Sequence, residues 1–168
     1  HHQPRSMSAP LVALLDNGAL WWGLAACGTA QFSKLVIELV VHRRWNPKVL
    51  VETGGMPSSH SALLTGTAAA LGWQQGFDSG LFALAATMCF VVLYDASHVR
   101  YSAGLTAARV NALSEASDEQ TPLKEKLGHT PLEVLVGSLM GPLVSLPGLV
   151  LVGSPLSLAQ HWGLMAIG

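Results

Sequence analysis

Apolar residues along this 168-residue chain gather into five segments parted by short polar turns. The first runs from about Asn17 to Val41, the second from Pro57 to about Trp73, and the third from about Ser79 to Ser97. The fourth spans Pro131 to Val152, and a short fifth covers Pro155 to Ile167. A helix that crosses a bilayer needs about 20 apolar residues, with about 17–25 the usual range. Segments one, three and four meet that length. Segment two lies at its lower edge, and segment five reads as re-entrant or interfacial. Gln74-Gln75-Gly76-Phe77-Asp78 and Gly153-Ser154-Pro155 are turn signals, so segments two and three form a tight helical hairpin. The pattern predicts an all-α, polytopic membrane bundle of about five apolar helices.

Residues 98–130 are the one long polar connection. Its first part, through about Ala116, holds helix formers and extends segment three. Ser117-Asp118-Glu119-Gln120-Thr121-Pro122 breaks that run, and Leu123–Leu127 predicts one further helical turn before Gly128. Composition agrees with the pattern: half of the residues are hydrophobic and 11% are charged, against about a quarter in soluble domains. A net charge of −1 gives no support to nucleic-acid binding. Cys27 and Cys89 sit within apolar runs and read as buried thiols. Residues 1–7 look like the remnant of an affinity tag, which leaves residues 8–168 as a single membrane-embedded domain.

Charge predicts an orientation. Arg43, Arg44 and Lys48 follow segment one, and Arg100, Arg109, Lys124 and Lys126 lie in the 98–130 connection. The turns between segments two and three, and four and five, hold no Lys or Arg. The positive-inside rule puts both basic connections in the cytoplasm. His60, Arg100 and His129 then share one membrane face.

Two short runs carry candidate chemistry. Gly54-Gly55-Met56-Pro57-Ser58-Ser59-His60-Ser61 reads as a loop entering a helix, with Pro57 at the first helical position. Free N–H groups, glycines and the Ser58 and Ser59 hydroxyls there suit an anion, and His60 supplies a proton donor beside it. In Leu127-Gly128-His129-Thr130-Pro131-Leu132-Glu133-Val134, His129 and Glu133 are four apart and share a helical face. Glu133 can fix the tautomer of His129 and leave the other ring nitrogen free to attack phosphorus. The same two residues also suit a simple helix start. Charge on the phosphoryl oxygens calls for cations, with Lys34, Arg43, Arg44 and Arg100 the candidates. Lys34 lies inside an apolar span, where a charge is paired or functional. Glu38, one turn on, is the structural partner the spacing offers. Asp95 and His98, three apart, offer two metal ligands or the polar end of a helix.

The runs 54–62, Tyr94-Asp95-Ala96 with Val99-Arg100, and 127–134 closely resemble the divergent type 2 phosphatidic acid phosphatase family, related to acid phosphatases and vanadium-dependent haloperoxidases. Gln31 and Lys34 fit its first helix, and the resemblance covers about residues 14–150. It implies a helical membrane core and hydrolysis of a lipid phosphate such as phosphatidic acid, phosphatidylglycerophosphate or an isoprenoid phosphate. The parent chemistry needs no metal or other cofactor. By this resemblance His129 is the nucleophile, Glu133 its orienter and His60 the general acid. By it Ser58 and the basic residues hold phosphate, with Arg100, Lys34, Arg43 and Arg44 the candidates here; Ser59 and Gly55 join them as parts of the anion-binding loop, and Asp95 is a site residue without an assigned role. The chain departs from the parent motifs at several places. Ser59 replaces glycine and Glu133 replaces aspartate. Lys34 and Arg43 are nine rather than seven positions apart, and Leu123 stands six before His129 where the parent has arginine.

Two other classes fit the same residues. One is a metal-dependent membrane hydrolase or phosphotransferase built on Asp95 and His98. The other is a lipid-binding membrane scaffold without turnover, to which the departures in the basic shell point.

Overall fold

The structure, a computed structural model, describes residues 9–52, 54–114 and 121–163. Among these residues regular structure is entirely helical, without a strand. In chain order the elements are α1 (Ala9–Leu15), α2 (Gly18–Val40), a 3-10 turn (Pro47–Leu50), α3 (Ser59–Gln75) and α4 (Gly80–Tyr94). A wide π turn (Asp95–Val99), α5 (Arg100–Ser114), α6 (Pro131–Leu151) and α7 (Pro155–His161) follow. The four main apolar segments emerge as α2, α3, α4 and α6, and the fifth begins as α7. Residues 164–167 of the fifth segment, like residues 1–7 and the breaker residues Ser117–Gln120, lie outside the described residues. Among the described residues three stretches are long and apolar enough to cross a membrane: Gly18–Val40, Gly80–Ser114 and Pro131–His161. The 17-residue α3 packs against α2, α4 and α6, so it is the inner helix of the bundle.

Small residues make that central position possible. Between apolar helices in lipid there is little hydrophobic driving force, and close backbone approach supplies the packing instead. A Cβ on Gly141 of α6 would stand 2.5 Å from the Ala62 carbonyl and 2.6 Å from the Gly66 nitrogen, both on α3. A Cβ on Gly137 would collide with the Ser58 carbonyl, and one on Gly23 of α2 with the Thr67 hydroxyl. Ala26, Ala30 and Ala62 form the core of this contact, with Met140 and Val144 against it.

Five helix starts are capped locally. Asn17, Ser58, Ser79, Thr130 and Ser154 accept a backbone N–H from the first turn of α2, α3, α4, α6 and α7 in that order. Ser58 therefore displaces Pro57 from the first helical position: Pro57 is buried one residue ahead of the cap. The α3–α4 hairpin turns at Gly76, which has φ 94°, and Phe77 meets Phe82 edge-on at 5.1 Å.

Leu123–Leu127 is not a helical turn. The Asn111 side chain accepts from the Leu123 N–H at 2.8 Å and donates to the Leu123 carbonyl at 2.8 Å. It also donates to Glu125 Oε1 at 2.8 Å, so the segment runs as an irregular strap along α5. A Cβ on Gly104 would strike the Glu125 carbonyl, which shows how closely the strap lies.

The 41–58 and 121–130 connections meet at one end of the bundle. Ser58 N–H donates to the Glu133 carbonyl at 3.2 Å, and Gly54 lies against the Gly128 carbonyl. At the other end Trp22 Nε1 donates to the Gly153 carbonyl at 2.7 Å, and Ser154 Oγ to Asp16 Oδ1 at 2.7 Å.

Candidate active site

His129 precedes α6 by two residues and is 5% exposed. Its Nδ1 lies 3.2 Å from Glu133 Oε2. The same carboxylate oxygen accepts the Thr130 N–H at 3.0 Å, while Thr130 Oγ1 accepts the Glu133 N–H at 3.3 Å. Thr130 and Glu133 thus form a capping box, with Pro131 at the first helical position. Glu133 caps the helix and orients the imidazole at once. With the Nδ1 proton aimed at the carboxylate, Nε2 keeps its lone pair. The main chain of His129 is held as well, because its N–H donates to the Ala96 carbonyl at 3.0 Å.

Burial pushes the His129 imidazole below the usual histidine value, and the charges of Lys34 and His60 push the same way. The hydrogen bond and charge of Glu133 oppose them without reversing the shift. His129 is therefore a neutral imidazole at neutral pH, the form a nucleophile requires.

The same interactions place the neighbours. His60, exposed in the first turn of α3, stands close enough to His129 for its charge to be felt. Lys34 of α2 is 6% exposed and acts electrostatically on both His129 and Glu133. It makes no ion pair with Glu38, the partner its spacing offered. The backbone route places Glu133 of α6 beside it instead.

Two hollows meet at Glu133. One, of about 330 Å³, is lined by Lys34, Glu38, His42, Glu52, Gly54, Gly55 and Lys126 among others. The second, of about 430 Å³, is bounded by Tyr101, Gly104, Leu105 and Ala108 of α5 and by Leu127 and Gly128 of the strap. Gly54, Gly55, Lys126 and Glu133 belong to both walls. Gly54 and Gly55 have φ of 110° and 85°, left-handed conformations that a side chain would strain.

His129 and His60 are not among the residues that line either hollow; they stand behind Glu133 and at the start of α3, and the remaining sequence candidates fall elsewhere. Ser58 and Ser59 are fully buried between helices rather than on either wall. The Ser58 hydroxyl accepts from the Ser61 N–H at 3.3 Å and the Ser61 hydroxyl at 2.8 Å, and Ser59 lies near the Cys27 thiol. Arg43 and Arg44 are exposed after α2 and line neither hollow. Arg100 Nε donates to Asp95 Oδ2 at 2.7 Å, so these two engage each other. His98 Nδ1 lies 2.8 Å from Ser97 Oγ, and its ring stacks on Tyr94 at 4.3 Å. Among the described residues no three His, Cys, Asp or Glu side chains gather as metal ligands would. Lys126 is the basic wall residue that spacing singled out least clearly, since the strap that delivers it is set by Asn111. The Thr130 cap was readable, because Thr-Pro-Leu-Glu is a capping-box sequence.

Fold and site define a helical membrane protein with an oriented, buried histidine at one end of the bundle. The family model described as the Divergent PAP2 family matches residues 15–144, and the chain belongs to that family. Among curated proteins it is similar to the "Uncharacterized membrane protein YuiD" of Bacillus subtilis (strain 168). The two are 39% identical over a 149-residue alignment covering 79% of this chain and 94% of the relative. No solved structure matches the chain.

Proposed function

We propose that the protein is an integral, multi-pass membrane phosphatase that hydrolyses a lipid phosphate ester at its cytoplasmic face. The observation that carries this reading is the His129–Glu133 pair, 3.2 Å apart, beside the buried amine of Lys34. A neutral imidazole oriented by a carboxylate and flanked by a cation suits attack on a phosphoryl group. Membership in a family named for type 2 phosphatidic acid phosphatases supports the same chemistry.

In this reading the phosphate rests between Lys34, Lys126 and the Gly54–Gly55 backbone. The Nε2 lone pair of His129 bonds to phosphorus as the bond from phosphorus to the ester oxygen breaks. His60, protonated, gives its proton to the departing alkoxide. Glu133 stabilises the positive charge that gathers on the His129 ring. Water then attacks the phosphohistidine with neutral His60 taking its proton, which releases phosphate and restores both imidazoles. The lipid tail stays in the bilayer beside α2, α3 and α6.

The test is phosphate release from phosphatidic acid, phosphatidylglycerophosphate and isoprenyl phosphate in mixed micelles. The purified protein releases phosphate from at least one of them, and His129→Ala falls to background. Equal release by His129→Ala defeats the mechanism.

A further inference from the structure

The helix from Gly80 to Ser114 changes pitch once, at the wide turn Asp95–Val99, and that turn touches the main chain of His129. In a helix of ordinary pitch, residues five apart point about 140° away from each other. A π turn brings such residues onto one face and is a recurrent feature of functional sites. Here Arg100 is bonded to Asp95 twice. Its backbone N–H donates to the Asp95 carbonyl, closing the wide ring, and its Nε donates to Asp95 Oδ2 at 2.7 Å. The carbonyl of Ala96, within that ring, receives the His129 N–H at 3.0 Å. Gly128, the residue before His129, is pressed against the Arg100–Tyr101 backbone so closely that a Cβ there would strike it. His129 is thus held by α6 through its ring and by the wide turn through its backbone.

We infer that Asp95 and Arg100 form a brace that keeps the wide turn in register and so sets where the His129 ring stands relative to His60. They are positioning residues, and their catalytic consequence rests on the phosphatase reading above. The pair lies at the surface, with side chains 39% and 60% exposed, so its loss leaves the bundle folded and acts locally. The brace gives Arg100 a duty of its own, since its Nε is bonded to Asp95.

The experiment uses the full chain in detergent, with Asp95→Asn, Arg100→Gln and the double variant. Each single change lowers kcat about tenfold with KM nearly unchanged, because misplacement of the nucleophile, not binding, is the defect. The double variant is no worse than the poorer single one, as expected of two residues that act as a unit. Arg100→Lys, which keeps a cation for Asp95, recovers part of the rate. Hydrogen exchange at the His129 amide speeds up in Asp95→Asn and Arg100→Gln, a readout that needs no turnover. Faster exchange in a protein that releases no phosphate would keep the brace and sink the phosphatase reading. Unchanged exchange, strictly additive losses, or a raised KM in Arg100→Gln with Asp95→Asn silent would overturn the brace.

Discussion

Glu133 serves two structures with one oxygen, since Oε2 accepts both the Thr130 N–H at 3.0 Å and the His129 Nδ1–H at 3.2 Å. Glu133→Gln separates the two duties. Glutamine at that position still completes a capping box, so the melting temperature stays within a few degrees of wild type by calorimetry. The carboxylate that steadies the imidazole is gone, and kcat for phosphate release falls about a hundredfold or more. The lowered proton affinity of His129 gives a second outcome. The acid limb of kcat/KM against pH lies below the ordinary imidazole value of about 6.5. The sign for stability follows, because the unfolded chain binds this proton more readily than the folded one. The contribution of His129 is fully present above about pH 6.5 and is lost as pH falls from there through the folded value. Much of this site was legible in the sequence. A four-residue spacing put Glu133 on the face of His129, and Thr-Pro-Leu-Glu carries its own cap. The neighbours of Lys34 were not legible, since α6 brings Glu133 to it from about a hundred positions away. The structural duty of the serines was not legible either. Hydroxyls at a helix start suit an anion equally well as a cap, and in the structure the Ser58 hydroxyl accepts the Ser61 N–H as a cap.

At the scale of elements, α3 depends on glycine at its crossing with α6. Gly141→Leu forces a side chain against the Ala62 carbonyl and the Gly66 nitrogen, neither of which can yield without shifting a helix. The expected loss is about 1–3 kcal/mol or more, read as a lower unfolding midpoint in detergent. Gly28→Ala is the matched control. No atom lies within 4 Å of a Cβ there, and stability holds or rises slightly. The apolar pattern gave the helices to within a few residues, because a bilayer-length run of apolar residues has few other solutions. It missed α1, seven residues that bury none of their side chains. It also overcalled Leu123–Leu127, whose Leu123 backbone groups are taken by the Asn111 side chain in place of a helical ladder. The wide turn at Asp95–Val99 was not read from the sequence, since Asp95 and Arg100, five apart, face each other only once the turn has formed.

For the molecule as a whole, the two basic connections converge on one end, and both hollows open there. Cysteines placed at Lys124 and at Asp78, in a background lacking Cys27 and Cys89, test the orientation. A membrane-impermeant maleimide labels the Lys124→Cys protein only from the cytoplasmic side and Asp78→Cys only from the other. The reverse pattern would place the hollows on the side of the membrane away from the cytoplasm. The central claim is that His129 carries the phosphoryl group during turnover. The most direct measurement is mass spectrometry of the protein quenched in alkali, where phosphohistidine survives, during steady hydrolysis of a lipid phosphate. A phosphoryl group on His129, absent from Glu133→Gln or formed there much more slowly, is the predicted result. Sustained phosphate release with an unmodified His129 at every time point would contradict it.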